Sequence, residues 1–277
     1  MMKLSLSTRI AEAPRRKDLA LMTLPELIDC AKDGGYSALS MRASQVGIQS
    51  TKEEIQAASS LIRNAGLSVS MVTGDFDIPA NTERLIIPLR QIDRHLDLAQ
   101  ALGADLIRVG IKAETQIPAL QQACDAAAER GIRLVHQCHV ATLCETVDKT
   151  LEVVQAVDRE NFGITYEPSN LLVCSEDYGE ATIRRLAPHL FNVYLQNLAP
   201  RPGAPNIIET WINGPVEYDL VPFGDARGID FHRVFDALTL VGYDGYVTVH
   251  QNIANGTDIA LGARECATYL RACASFE

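Results

Sequence analysis

A closed (β/α)8 barrel is the fold this sequence predicts, and three observations carry it. Eight short apolar runs of strand length alternate with longer segments of helical periodicity. The repeat is about 25 to 35 residues, enough for one strand, one crossover helix and two loops, as parallel strands require. Finally, "STRIAEAP" after the first run is not the glycine-rich phosphate loop that an open doubly wound sheet would more often carry, and neither GxGxxG nor GxxxxGK(S/T) occurs.

The predicted strands, in order, are "KLSLST" (3–8), "YSALSM" (36–41), "LSVSMV" (67–72), "DLIRVG" (105–110), "IRLVHQ" (132–137), "FGITYE" (162–167), "FNVYLQ" (191–196) and "GYVTVH" (245–250). Between them, "LPELIDCAKDGG", "TKEEIQAASSLIRNAG", "IIPLRQIDRHLDLAQALG", "IPALQQACDAAAERG", "ETVDKTLEVVQAVD", "YGEATIRRLAPH" and "DFHRVFDALTLVG" place apolar residues three and four apart. Five of these helical segments end in a glycine suited to a C-cap.

Composition agrees with one large domain spanning 1–277: the 277 residues are 47% hydrophobic and 22% charged. A net charge of −10 argues against nucleic acid or an anionic membrane as partner, because both need a basic surface. The start "MMKLSLSTRIAEAPRRKD" reaches polar residues and Pro14 before any signal-like apolar stretch, and 18 apolar residues never run together. A soluble, cytoplasmic protein is expected. The seven cysteines are odd in number, scattered and without a CxxC pair, so neither a disulfide framework nor a zinc knuckle is indicated.

Barrel active sites lie at the C-terminal ends of the strands. Those ends carry Ser7 and Arg9, Met41 and Arg42, Thr73 and Asp75, then Arg108, then His136, Gln137 and His139. They continue with Glu167 and Asn170, Tyr194, Gln196 and Asn197, and last His250, Gln251 and Asn252. The fifth to eighth strands thus end in amides, imidazoles and one carboxylate, which predicts a polar pocket there.

Alternation sorts the dense stretch "LVHQCH". His136 and His139 are three apart, so on an extended strand they face opposite ways and cannot share an ion. His136 is expected to be hydrogen-bonded behind the strand, Gln137 to face the other way, and His139 to reach the pocket only if the chain turns after Gln137. Cys138 is not expected to act as a nucleophile with its neighbour His139, because adjacent strand residues face apart. His95, His189 and His232 fall in helical segments and are expected at the surface or as caps. Trp211, in the long insertion "NIIETWINGPVEYD", is either loop packing or an apolar wall of the pocket. Asp75 and Asp77 of "TGDFDIP" either contact substrate hydroxyls or shape their loop, and a phosphate-binding role for Arg227 has no support beyond its charge.

"FGITYEPSN" and "GDARGIDFHRVFDALTLVGYDGYVTVH" resemble two motifs of the sugar phosphate isomerase/epimerase superfamily, the xylose isomerase-like TIM barrels. The first matches a sixth strand of glycine, an apolar pair, Asp, Pro, x, Asn. The second matches the closing unit, Gly-x-x-x-Gly-x-(Ile/Val)-Asp, a helix, Gly-Tyr-x-Gly and the last strand. The resemblance spans residues 3 to 275 and implies a divalent cation held by Glu, Asp, His and Glu on the fifth to eighth strands. Carried over one at a time, these positions hold Gln137, Glu167, Tyr194 and His250, and the Lys and Asp that follow the family's His become Gln196 and Asn197. The two family glutamates that shuttle a proton beside a carbonyl are therefore both replaced.

The resemblance implies a sugar isomerase or epimerase that moves a proton beside a carbonyl on a small keto sugar, polyol ketone or sugar acid. A lyase or dehydratase on a related keto sugar and a non-catalytic sugar-binding barrel are the alternatives. Glu167, His250 and His139 are the candidate catalytic groups. Gln137, Asn170, Tyr194, Gln196, Asn197, Arg108 and Trp211 are the candidate substrate contacts. One anion is a poor cage for Mg²⁺, but Glu167 and His250 with Gln137 could hold a softer Zn²⁺ or Mn²⁺. No nucleotide cofactor is expected, and a homo-oligomer is compatible with the sequence.

Overall fold

A computed structural model of the chain describes residues 1–13, 16–73, 86–252 and 258–277. The strands are β1 (Lys3–Ser7), β2 (Glu12–Ala13), β3 (Arg16–Ala20), β4 (Ala38–Arg42), β5 (Ser68–Thr73), β6 (Leu106–Val109), β7 (Arg133–Gln137), β8 (Phe162–Tyr166), β9 (Leu190–Leu195), β10 (Leu198–Pro200), β11 (Asn206–Thr210), β12 (Gly214–Leu220) and β13 (Tyr246–Val249). The helices are α1 (Leu24–Asp33), α2 (Lys52–Asn64), α3 (Ile87–Arg90), α4 (Ile92–Leu102), α5 (Ile117–Ala128), α6 (Val147–Val157), α7 (Pro168–Val173), α8 (Glu180–Leu186), α9 (Phe231–Leu240) and α10 (Ile259–Cys273).

Eight parallel strands close on themselves in the order β1, β13, β9, β8, β7, β6, β5, β4. Closure is visible at Leu6, which pairs with Val249 on one side and Leu39 on the other. Every predicted strand is a barrel strand, and the (β/α)8 fold stands.

The helices form where the sequence supplies both an apolar stripe and end signals. In α2 the Thr51 hydroxyl accepts from the Glu54 N–H at 3.2 Å, and the Glu54 carboxylate accepts from the Thr51 N–H at 2.8 Å. Such a reciprocal cap contributes about 1 kcal/mol. The five C-terminal glycines, Gly35, Gly66, Gly103, Gly131 and Gly242, all take left-handed φ between 68° and 78°. At α6 Asp158 does the same work at φ 49°.

The largest apolar cluster lies between the strands and the helices, with Leu4, Leu39, Ile107, Leu134, Ile164 and Val247 pointing outward into it. Each such fully buried side chain contributes roughly 1.5–3 kcal/mol. The barrel interior is different. Met71, Leu106, Val135 and Tyr194 fill its middle, and hydroxyls close the rest, with Ser5 to Ser70 at 2.7 Å and Ser40 to Tyr194 at 2.8 Å.

Three features escaped the periodicity. A short hairpin, β2–β3, follows β1, and a three-stranded antiparallel sheet in the order β10, β12, β11 occupies the insertion between β9 and β13. That sheet packs Ile208, Val216 and Tyr218 on Val140, Val173 and Leu198, over the loops that follow β7 and β8. The terminal helix α10 buries Gly262, Ala263, Cys266, Ala267 and Leu270, a face too small in volume to register as an apolar stripe.

His95 is a correction. It is buried at 1% exposure on α4, on the same face as Leu96 and Ala99, where the sequence suggested surface or capping. His189 is half-buried and His232 exposed. All seven cysteines are free. Among the described residues no helix is long and apolar enough to cross a membrane.

Candidate active site

The pleat of the barrel places the site. Ser5 and Ser7, Ser40, Leu106, Val135, Thr165, Asn192 and Tyr194, and Thr248 face inward through the contacts of the interior. Two residues further along each strand the same face carries Arg42, Arg108, Gln137, Glu167, Gln196 and His250, because side chains repeat every second residue. These six form the top inward layer, at the C-terminal ends of the strands.

Glu167 is its centre. The following Pro168 begins α7 and holds Glu167 extended, at φ −139° and ψ 104°, so the carboxylate stays on the inward face. The residue is fully buried. One oxygen accepts from Ser169 Oγ at 3.2 Å and Gln196 Nε2 at 2.5 Å, and the other accepts from Asn170 Nδ2 at 2.8 Å and from Gln137 Nε2. Burial pushes its pKa up to about 7, against Arg9, Arg108 and the bonds from Ser169 and Gln196, which all pull it down. Desolvation wins because no water reaches the charge.

The imidazoles of the site are neutral. Burial first, and then Arg108, hold His139 well below its ordinary value; burial and then Arg9, Arg42 and Arg108 do the same for His250. A carbonyl oxygen can only accept, so His139 Nδ1 donates to Val140 O at 3.1 Å, which leaves the lone pair on Nε2. His250 stacks on Tyr194 with ring centroids 4.0 Å apart and contacts Ser7 Oγ through Nδ1 at 2.9 Å. His136 faces outward as alternation required: Nδ1 donates to Gln137 O at 2.7 Å and Nε2 accepts from Ile111 N at 3.0 Å.

Cations ring the same layer. Arg42 Nε pairs with Glu12 of the hairpin at 2.6 Å, and both side chains are almost fully buried. Arg9 Nη1 donates to the His250 carbonyl at 3.3 Å. Arg108 extends inward from β6 and feels Tyr194, Arg42 and Glu167, and its pKa drops to about 10, chiefly through burial. Lys17, on β3, is pushed down to about 7 by burial and then by Arg42 and Arg108.

The structure therefore brings together Glu167, Gln137, Asn170, Gln196, Tyr194, His250, His139 and Arg108, and separates two others from them. Asn197 is a correction: its Nδ2 donates to Pro222 O at 2.8 Å and its Oδ1 accepts from Ile229 N at 2.7 Å, so it ties down the 222–229 loop instead of facing substrate. Trp211 lies on the β11–β12 turn, 53% exposed, with its N–H on the buried Glu145 carboxylate and its ring 5.8 Å from Lys112 Nζ. Asn170 is nearer than expected to the carboxylate, and its amide nitrogen is committed to Glu167 and Cys138 O, which makes it a brace for Glu167. Arg227 is paired with Asp225 at 2.6 Å on the surface, and the Cys138 thiol is buried with its pKa raised to about 12. Asp75 and Asp77 lie outside the described residues.

Sequence reasoning noted Arg9 and Arg42 as strand ends but gave them no role, and it missed Lys17 altogether. Alternation from Ser40 could have found Arg42. Nothing in "RRKD" marks Lys17 as a rim residue, since the hairpin that folds it back is too short to show a period.

A divalent cation does not fit this donor set. Both Glu167 oxygens already accept from neutral N–H and O–H donors. Arg9 and Arg108 add positive charge where a cation would sit. Among the described residues no three His, Cys, Asp or Glu side chains are grouped to hold an ion. The expected ligand set of Glu167, His250 and Gln137 is thus corrected: Glu167 is its sole anionic donor, and hard cations need several.

The chain matches the family described as xylose isomerase-like TIM barrel over residues 28–273. A curated relative, inosose dehydratase of Geobacillus thermodenitrificans (strain NG80-2), is 25% identical over 165 residues, covering 54% of this chain and 51% of that protein. The chain thus matches about half the length of that relative. A crystal structure of D-psicose 3-epimerase in the presence of D-fructose superposes with a TM-score of 0.72 at 14% identity, covering 98% of this chain and 97% of the other. A xylose isomerase-like TIM barrel protein from Mycobacterium smegmatis in complex with magnesium gives 0.70 at 14% identity, over 98% and 95%. The barrel order, the inward polar layer and the match over 28–273 together make this chain a member of the xylose isomerase-like TIM barrel family.

Proposed function

We propose that the chain is an isomerase or epimerase that moves a proton at the carbon beside a carbonyl of a small polyhydroxy substrate. The observation that carries the reading is Glu167: fully buried, braced by three amides and a hydroxyl, with a pKa of about 7. A carboxyl so tuned is half ionised at neutral pH and can both take and return a proton. The family resemblance and the similarity to a sugar epimerase and to inosose dehydratase support a carbohydrate-like substrate.

In this reading Glu167 removes the proton from the carbon, and the electron pair moves onto the carbonyl oxygen to give an enediolate. Glu167 then returns that proton to the neighbouring carbon, while the Nε2 lone pair of His139 takes the proton of the adjacent hydroxyl and gives it to the former carbonyl oxygen, which completes the isomerisation. The second N–H of Gln196 and the neutral His250 ring are placed in the same layer to orient the substrate oxygens. Tyr194 beneath them closes the barrel floor through its stack on His250 and its bond to Ser40.

The partial-length similarity to inosose dehydratase favours one second reading. After the same proton abstraction, the protonated carboxyl of Glu167 delivers the proton to a departing hydroxyl, and water leaves.

Wash-in of deuterium from heavy water into a panel of ketoses, keto acids and inososes tests the common step. Exchange at carbon is expected with at least one member and should fall about a hundredfold or more in Glu167→Gln, the usual scale for general acid–base catalysis. Exchange that accompanies loss of water marks the dehydratase. If every panel member stays unlabelled, the non-catalytic barrel is the better account.

A further inference from the structure

The charge arrangement around Glu167 runs against the chain as a whole. The protein carries −10, yet the top inward layer and its hairpin assemble Arg9, Lys17, Arg42 and Arg108 near Glu12 and Glu167, while Asp18 of the hairpin is paired with Arg16. Arg42 is matched by Glu12 at 2.6 Å. Among the described residues Arg9 is anchored through its side chain on a neutral carbonyl, and Arg108 has neither an ion pair nor a side-chain hydrogen bond. Arg9 and Arg108 are partly exposed and share the Glu167 carboxyl as an attractive charge, which leaves most of their N–H donors uncommitted among the described residues and able to meet a further anion.

We propose that Arg9 and Arg108 form an anion subsite beside Glu167 that receives the carboxylate or phosphate group of a polyhydroxy substrate. The planar guanidinium fork suits both groups, because each offers two oxygens at the spacing of two N–H donors. The geometry supports the placement. Arg108 leaves β6 on the inward face above Leu106, two strands from Glu167 on β8, and Arg9 leaves the turn after β1 next to β13 and reaches the carbonyl of His250. The two cations therefore stand on either side of the layer that holds Glu167.

The same arginines act on the titratable groups around them. After burial, Arg108 lowers the basicity of Lys17 and His139, and Arg9 with Arg42 and Arg108 lowers that of His250. The subsite would let a chain of net charge −10 take a negatively charged small molecule at the mouth of the barrel. The assignment of the anion to a substrate rests on the proton-transfer reading; the subsite itself does not.

Calorimetric binding of three probes tests it: D-gluconate as the carboxylate, D-glucitol 6-phosphate as the phosphate and D-glucitol as the neutral frame. At least one anion is expected to bind about ten- to a hundredfold more tightly than glucitol, the scale of one net charge-assisted hydrogen bond, and Arg108→Gln and Arg9→Gln should each remove most of that preference. The anion that is preferred identifies the group. Arg184→Gln, which removes an exposed helix charge paired with Glu180, should leave the affinities unchanged. Arg9→Gln serves as the second variant if Arg108→Gln does not fold. Anions that bind no better than glucitol, or a preference that survives in both arginine variants, overturn the subsite. An anion preference that depends on both arginines, together with no deuterium wash-in, keeps the subsite and sinks the proton-transfer reading. Wash-in into neutral ketoses alone, with no arginine-dependent anion binding, does the reverse.

Discussion

Replacing Glu167 with glutamine should make the protein more stable, and only at the alkaline side of a defined window. In the folded chain the carboxyl titrates near 7, whereas unfolded it would titrate at its ordinary 4.5. A carboxyl raised on folding opposes the native state once it must ionise. The cost is absent below pH 4.5, grows as pH rises from there, and levels off above 7. A shift of about 2.5 units corresponds to roughly 3 kcal/mol at pH 8. Glutamine keeps the volume and does not ionise, so it escapes that cost. The donors around the site can adapt to it, because Gln137 Oε1 has no partner among the described residues and its amide can turn over to accept a hydrogen bond. The difference in unfolding free energy between Glu167→Gln and the parent should therefore increase by about 3 kcal/mol between pH 4.5 and pH 8, roughly 6 to 10 °C in melting temperature for a domain of this size. Urea denaturation of both proteins at four pH values measures it, and groups common to both cancel in the difference. A constant difference across that window refutes the claim that burial dominates the charge of Glu167.

The neutral imidazoles act in the opposite direction. His139 and His250 are held below their unfolded value, so their contribution is present above pH 6.5 and is lost as pH falls below it; His139→Gln should flatten the acid limb of a stability profile, and an unaltered limb would show that His139 is charged when folded. A Cβ at Gly228 would come within 2.0 Å of Asn197 Oδ1, so Gly228→Ala should cost about 1–3 kcal/mol by denaturant titration and loosen the 222–229 loop. Glu145 accepts the N–H groups of Ala141 and Trp211 while buried, and Trp211 is the one tryptophan of the chain, so Glu145→Ala should cost about 1–3 kcal/mol and lower the anisotropy of tryptophan emission as the cover sheet loosens. Titration with Mn²⁺, Zn²⁺ and Mg²⁺ should show no binding that depends on Glu167; a cation held by the parent and lost in Glu167→Gln would overturn the charge argument made for the site.

Much of this was legible because periodicity reports burial directly. Eight runs facing both the core and the barrel interior read as strands, and five helix ends carried the glycine their φ demanded. The elements that escaped were those whose burial is partial or built from small side chains: the hairpin around Lys17, the cover sheet, and α10 with its Ala, Gly and Cys face. The site divides the same way. Alternation alone separates Gln196 from Asn197, since neighbours on a strand face apart, and only Gln196 meets Glu167. Alternation also sent His136 outward. It could not reveal where a long side chain from a turn, such as Arg9, would end, because that depends on the path of the turn and the space left by other strands. Nor could it show that Asn170 braces Glu167: that contact follows from the helix beginning at Pro168, which returns Asn170 to the carboxylate within one turn.

The replaced residues make electrostatic sense once the arginines are counted with them. The resemblance implies three carboxylates and a histidine balanced by a divalent ion, a nearly neutral assembly. Here Gln137, Tyr194 and His250 leave one carboxylate of the set, and it is the two arginines beside it that would make a site with an added divalent ion strongly positive. Arg9 and Arg108 stand beside it with two positive charges that need no ligands of their own. They can do what a cation does for a developing oxyanion by attraction through space, but they cannot be removed by a chelator, and they accept a permanent anion as readily as a transient one. Amides at Gln137 and Gln196 fit that scheme, because charged residues there would pair with the arginines and close the subsite. On the proposed subsite, the amides at the positions of the ligand glutamates and the guanidiniums of Arg9 and Arg108 belong to one arrangement, in which the charge beside Glu167 comes from side chains.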